Sequence, residues 1–327
     1  MGKKRITLAV LGAGSIGMRH LKVLSSLGAK VIAVPVRPER ASELAGQGMT
    51  SARSIEDAKR MGAAGVVVCT DTSRHVKDCM EACDLGMAVL CEKPLAVNSR
   101  EAINLGKTRA GSVHVAYNLR FDDGFRKVFE LVSRLGEIHY IGAECRSYLP
   151  AWRKDRDYLR NYSARAGEGG VLLDLSHEPD YINHFYEKPE YIAGITKNNG
   201  TLGIAEEEMA SAAVEFPGGS QGSIVLDYLS RKATRRLIVS CRKGEVEYDF
   251  VGKRITLWSG NAEIIYDVER EADTLYKAED EEFIKITEGR KRKKLATFGE
   301  AVDALCVVDS WKKSSDSGRK VEIKYAG

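Results

Sequence analysis

The chain has 327 residues, 43% hydrophobic and 29% charged, which is ordinary globular composition with room for two domains. Fifty Lys and Arg against 46 Asp and Glu leave a net charge of +4, too near balance for a protein built around nucleic acid. No apolar run approaches the ~18–20 residues that cross a bilayer, and seven scattered cysteines suit reduced thiols, so a cytoplasmic protein without membrane partners is expected.

The first stretch alternates short apolar runs with helical patterns. Residues 6–11 predict a strand, 16–27 an amphipathic helix stopped by Gly28, and 31–36 a second strand before Pro38. Residues 65–69, 87–91 and 113–117 predict further strands, with helices at 73–85 and 99–109. Strands apolar on both faces, each followed by a helix, predict a doubly wound parallel sheet over residues 1–120. Cys79 and Cys83 share a helix face, but no second pair stands at zinc spacing, so no metal is expected.

Beyond a helix at 122–134 the pattern changes. Residues 138–148, and several runs between 209 and 268, predict successive strands with reversals at 217–219, 243–244 and 259–261. Residues 245–250 alternate polar and apolar, as in an antiparallel sheet with one wet face. A helix is expected at 170–186, and two more at 280–288 and 299–313. Residues 121–327 thus read as an α+β domain with a large, mostly antiparallel sheet. The five basic residues 290–294 are read as a solvated connection between helices.

Gly12, Gly14, Ser15, Ile16 and Gly17 lie between the first strand and its helix, in the order of a dinucleotide-binding loop. The first glycine permits the turn, the second lets pyrophosphate approach, and the third lets helix and strand pack. Arg19 and His20, one turn on, are read as surface or packing residues. Thr70, Thr72 and His75, past the third strand, and Glu92 are taken as further cofactor contacts. Lys93 lies just beyond the fourth strand's carboxyl end, where open α/β sheets bind ligands. On one helix Asp174 and His177 would share a face. A carboxylate, an imidazole and a lysine together suit proton transfer to an alcohol or carbonyl oxygen.

On the glycine loop, the Glu92-Lys93-Pro94 triplet and the Gly169-Gly170-x3-Asp174-x2-His177 helix, the chain resembles the glucose–fructose oxidoreductase, inositol dehydrogenase and MocA-like family. The resemblance implies a nicotinamide-dependent oxidoreductase acting on a sugar, nucleotide-sugar or cyclic polyol. It makes Lys93 the proton relay and a cofactor contact, Asp174 the residue that orients substrate or Lys93, and His177 the acid/base partner. It implies that the peptide before Pro94 is often cis, and that Asn118 and Arg120 border the nicotinamide and substrate. It also implies a homodimer or homotetramer formed through the second sheet. Pro179 departs from the family's continuous helix and is expected to kink it near Leu175. Two other readings stay open: a cofactor-retaining enzyme that eliminates or hydrolyses through transient oxidation, and a dinucleotide-binding sensor.

Residues 146–165 carry six basic against two acidic residues, interleaved with Tyr148, Trp152, Tyr158 and Tyr162. Such a loop suits an anionic sugar, with Arg153 pairing the anion and Tyr148, Trp152 and Tyr162 lining the sugar. No Asp or Glu occurs between Leu21 and Val36, where NAD-specific sites hold the ribose, and Arg37 follows. NADP(H) is therefore expected as the preferred cofactor, with NAD(H) as an alternative and Arg40 as a second phosphate contact.

Overall fold

The computed structural model describes residues 5–153, 157–271 and 273–326; the side chains of Pro38 and of residues 107–110 are outside it. Lys154, Asp155 and Arg156 of the basic loop therefore lie outside the described residues. The chain opens with β1 (Thr7–Leu11), α1 (Ser15–Ser26), β2 (Lys30–Val34), α2 (Pro38–Gly46), α3 (Ile55–Arg60) and β3 (Gly65–Val68). It continues through α4 (Thr72–Asp84), β4 (Ala88–Glu92), α5 (Ser99–Arg109) and β5 (Val113–Ala116). These strands are short, β-branched and buried almost throughout, which is why periodicity found them. The short α3 was not expected; Ser54 starts it by accepting the Asp57 N–H at 3.0 Å.

Next come α6 (Asp123–Val132), β6 (Ile138–Tyr148), α7 (Val171–Asp174), α8 (His177–Phe185) and β7 (Tyr191–Lys197). Strands β8 (Met209–Glu215), β9 (Gln221–Asp227), β10 (Leu229–Cys241), β11 (Gly244–Asp249), β12 (Arg254–Ser259) and β13 (Ala262–Asp267) follow, with the three expected reversals between them. The chain ends in α9 (Thr274–Thr287), β14 (Ala296–Thr297), α10 (Phe298–Ser317) and β15 (Val321–Glu322). The helix expected over 170–186 is two helices, because Leu175 (ψ 35°) and Ser176 (ψ 0°) leave helical geometry. Pro179 sits in the first turn of α8. There its missing N–H has no intrahelical acceptor to lose, and the residue four back lies outside the helix.

Two compact units result: residues 1–121 with 271–301, and residues 122–270 with 302–327. The first crossing agrees with the expected boundary to one residue, but assigning all of 121–327 to one domain is corrected. Residues 271–301 return to the first unit, where β14 pairs antiparallel with β5 and α9 lies against α1. Phe283, Leu295 and Ala296 are all fully buried there. The first unit's six-stranded sheet runs β14-β5-β4-β3-β1-β2, parallel apart from β14. Its core gathers Leu8, Val10, Leu21, Leu24, Val67 and Leu90 with Phe283.

The second unit's nine-stranded sheet runs β13-β12-β11-β10-β6-β9-β8-β7-β15 and is antiparallel except for the β6–β9 pair. Phe125 of α6, Tyr181 and Phe185 of α8 and Tyr248 of β11 form its aromatic core, with centroids 4.6–5.9 Å from the Phe125 ring. No disulfide joins the seven cysteines. Among the described residues no helix is long and apolar enough to cross a membrane.

One side chain of the 271–301 segment gathers the backbone that leads into β14. Oε1 of Glu282, on α9, accepts the backbone N–H groups of Lys293, Lys294 and Leu295 at 2.7, 2.7 and 3.0 Å. Replacing Glu282 by Ala strands these donors, and each buried unsatisfied group costs about 1–3 kcal/mol. We expect Glu282→Ala to lower the free energy of unfolding in urea by about 2–4 kcal/mol. A loss below about 0.5 kcal/mol, the range of ordinary surface substitutions, would show that the segment is held otherwise.

Candidate active site

The glycine loop, residues 12–17, lies between β1 and α1. Gly12 has φ +92°, and a Cβ there would stand 2.5 Å from the Cys69 carbonyl oxygen. A Cβ on Gly17 would fall 1.8 Å from the Gly12 oxygen, whereas at Gly14 nothing lies within 4 Å. The first and third glycines thus serve internal packing, and the second leaves the backbone open to an approaching group. Gly14 and Ser15 are exposed at the start of α1, whose first turn carries no acidic residue. The residues present fit a pyrophosphate at a helix N-terminus. Arg40 of α2 donates from Nε to the Ala13 carbonyl at 3.3 Å and pairs with Glu43, while Arg37 is exposed as the residue before α2.

Glu92 ends β4, two strands from the glycine loop's β1, and the Lys93–Pro94 peptide is cis. Glu92 Oε2 accepts the Lys93 N–H at 3.1 Å. His75 has Nδ1 2.7 Å from the Pro94 oxygen and Nε2 3.0 Å from the Thr70 oxygen, and the Thr70 hydroxyl donates to Asp78 at 2.7 Å. Thr72 and His75 are buried. The His75 ring and the Thr70 hydroxyl brace the turn after β3 and the Pro94 loop.

His20, read as a surface or packing residue, is an interior one. It is fully buried, with Nδ1 2.7 Å from Asp280 Oδ1 and Nε2 3.2 Å from Glu92 Oε1. Burial alone would push its pKa down, but Asp280 and then Glu92 outweigh burial and hold the ring well above the ordinary histidine range. Burial likewise works to raise the Glu92 carboxyl, yet the hydrogen bond from His20, the His20 charge and the Lys93 charge hold it below the usual range. Arg19, by contrast, is a surface residue paired with Asp273 at 3.0 Å. Asn118 is half-buried, and the buried guanidinium of Arg120 lies 3.1 Å from Glu300 within the first unit.

In the second unit Asp174 ends α7 and His177 begins α8, so the two do not share one continuous helix. Both are buried. Asp174 accepts from the Tyr162 hydroxyl at 2.5 Å, Ser163 at 2.6 Å and Tyr228 at 2.8 Å. A carboxylate surrounded in this way is held firmly in place by its neighbours, Tyr162 among them. Tyr148 lies under Arg231, whose guanidinium carbon is 3.7 Å from the ring centroid. Trp152 is 40% exposed, stands edge-on to Tyr228 and donates to Ser147. Arg153 reaches Asn161 at 3.4 Å. The loop's charge is partly compensated: Arg146 pairs with Asp227 at 2.6 Å and Arg165 with Glu168 at 3.8 Å.

Sequence reasoning missed His20, Asp280, Tyr228 and Arg231. The available signal was His20 itself, a titratable residue on the buried side of α1 one turn past the glycine loop.

Residues 6–117 match the model described as "Oxidoreductase family, NAD-binding Rossmann fold", and residues 104–247 match "GFO/IDH/MocA C-terminal domain". Inositol 2-dehydrogenase 3 of Saccharopolyspora erythraea is 30% identical over 43% of this chain and 44% of its own length, so this chain spans under half of that relative. Inositol 2-dehydrogenase of Rhizobium meliloti is 28% identical over 74% of each chain. The fold is also that of levoglucosan dehydrogenase in complex with NADH and L-sorbose, with TM-score 0.85 and 16% identity over 98% of this chain and all of that one. The WlbA dehydrogenase from Bordetella pertussis, in complex with NADH and UDP-GlcNAcA, gives TM-score 0.80 and 18% identity over 98% and 99%. With both family domains matched in order along one chain, this protein belongs to the Gfo/Idh/MocA oxidoreductase family.

Proposed function

We propose that this protein oxidises or reduces a carbinol carbon of an anionic sugar or cyclic polyol, using a nicotinamide dinucleotide. The observation that carries this is Lys93, set just past the end of β4 in the same sheet as the open glycine loop. The bound dinucleotide would supply or accept the hydride. Lys93 takes or gives the hydroxyl proton at Nζ, with His177 as the second proton-handling group. Gly12, Gly14, Ser15, Ile16 and Gly17 receive the pyrophosphate, and Glu92 and Asn118 border the cofactor. Tyr148, Trp152 and Arg153 receive the sugar and its charge, and the WlbA neighbour's uronic-acid ligand is of that chemical class. The outward residues Ile195 and Met209, 58% and 37% exposed, support a homodimer or homotetramer through the second unit's sheet.

The 2′-phosphorylated cofactor suits the tip of β2, where residues 21–36 contain no carboxylate to hold two ribose hydroxyls or to repel a phosphate. Arg37 is exposed there, and Arg40 already lies against the glycine loop.

Three measurements test this reading. Lys93→Met should lower turnover by about 10²–10⁴ while cofactor affinity stays within a few-fold; retention of a tenth of the parent rate would remove Lys93 as the relay. In calorimetric titration NADPH should bind about 10- to 150-fold more tightly than NADH, the worth of one charge-assisted contact, and Arg37→Ala should erase the difference. Equal affinities in the parent protein would overturn the preference. Substrate KM should rise with salt and in the Arg153→Ala, Arg156→Ala double variant. An uncharged sugar accepted as well as its carboxylated counterpart would leave the loop's charge without a role.

A further inference from the structure

We propose that His20 is a positioning residue for Lys93: clamped as an imidazolium between Asp280 and Glu92, it holds the Glu92 carboxylate against the Lys93 backbone and offsets its charge beside the Lys93 amine. This rests on the reading of Lys93 as the proton relay.

The geometry is a chain of short contacts within the first unit. Asp280 Oδ1 meets His20 Nδ1 at 2.7 Å, His20 Nε2 meets Glu92 Oε1 at 3.2 Å, and Glu92 Oε2 accepts the Lys93 N–H at 3.1 Å. Both acceptors on the ring are carboxylate oxygens, so both ring nitrogens donate, which only the imidazolium can do. The triplet is braced from its other end too, by His75 Nδ1 at 2.7 Å from the Pro94 oxygen. Lys93 therefore projects from a backbone pinned on each side by a histidine.

The groups facing His20 are few. From α9 come Asp280, Glu279 and Tyr276, whose ring is edge-on to the imidazole at 5.4 Å. From the end of β4 come Glu92 and Lys93, and past β3 lies Cys69, whose thiol burial holds well above its ordinary pKa. On its own helix Arg19 turns to Asp273 and Tyr276. Glu279 is fully buried, and neither carboxyl oxygen has a hydrogen-bond partner among the described residues. Burial, then the Glu92 charge, push its pKa well above the carboxylate range. His20 thus lies between the Asp280 and Glu92 carboxyls, with Lys93 beside Glu92.

His20→Gln keeps the bulk but removes the cation. Glu92 then faces Lys93 uncompensated, and a bare carboxylate stabilises the ammonium form. At an effective dielectric near 20, removing one unit charge from so compact a cluster is worth about one pKa unit or more at a neighbouring amine. The test is competitive labelling of the Lys93 amine by trace acetic anhydride, read by mass spectrometry between about pH 6 and 11, on the full chain. We expect the Lys93 titration to rise by about one unit in His20→Gln and to fall in Glu92→Gln. In the double variant it should return toward the parent value. Melting curves monitor folding; if His20→Gln does not fold, Glu92→Gln and the double variant carry the test. A Lys93 titration that stays put in folded variants, or moves the same way in both single variants, overturns the proposal. Where a sugar substrate is turned over, the acidic limb of kcat for alcohol oxidation should move with the labelling pKa while cofactor affinity holds. Labelling shifts without Lys93-dependent turnover would remove the enzymatic reading and keep the electrostatic link. Lys93-dependent turnover with an unmoved titration would do the reverse.

Discussion

One buried cation joins three segments of the first unit that are far apart in sequence. His20 lies on the helix after the glycine loop, Glu92 at the exit of the fourth strand, and Asp280 on a helix that follows eight of the nine strands of the second unit's sheet. Taking such charges out of water costs several kcal/mol per ion, and the set is tolerable only while all members are present. This explains why α9 cannot be left with the second unit. Without Asp280 and the Phe283 side chain, α1 would expose both a charged imidazole and part of the sheet core. The discontinuous first unit follows from that constraint, and Glu282 secures it by holding the backbone that leads into β14.

The second unit has a comparable centre in Tyr228, which is fully buried. Its backbone oxygen accepts the Leu149 N–H at 3.0 Å, its ring meets Trp152 at 5.5 Å, and its hydroxyl donates to Asp174 and the Gly170 oxygen. Asp174 in turn binds Tyr162 and Ser163. The beginning and end of the basic, aromatic loop are thus tied to one post, with the 154–156 stretch between them. Burial, followed by the Asp174 charge, pushes the Tyr228 hydroxyl well above the ordinary tyrosine pKa, so it remains a donor throughout the physiological range. The Asp174 carboxylate is thus also the acceptor on which this loop is assembled.

What was legible in the sequence had strong local periodicity. Strand β6 occupies the expected residues 138–148, and the glycine loop sits between strand and helix as read. Strand β7 was missed because Gly194 interrupts its pattern, yet that glycine is required: a Cβ there would lie 2.4 Å from the Trp311 ring. Helix α9 was read as 280–288 and so lacked its first six residues, and within it Glu279 and Asp280 are fully buried against their polarity. Each miss has one cause. A long-range partner reverses what the residue's polarity or propensity would predict alone, and a single sequence does not display that partner.

The placement of charge in the first unit also separates two demands that would otherwise conflict. Ordering the Lys93 loop uses carboxylates, while a dinucleotide's phosphates require that the glycine loop meet no negative field. The chain resolves this by burying Asp280 and Glu92 on either side of His20, while burial pushes the Glu279 carboxyl upward. The first turn of α1 and the tip of β2 carry no acid, and Arg40, itself paired with Glu43, lies against the glycine loop. With the imidazolium offsetting one carboxylate and Lys93 beside the other, the cluster projects little net charge. The positive end of α1 is then left free to act on an approaching anion.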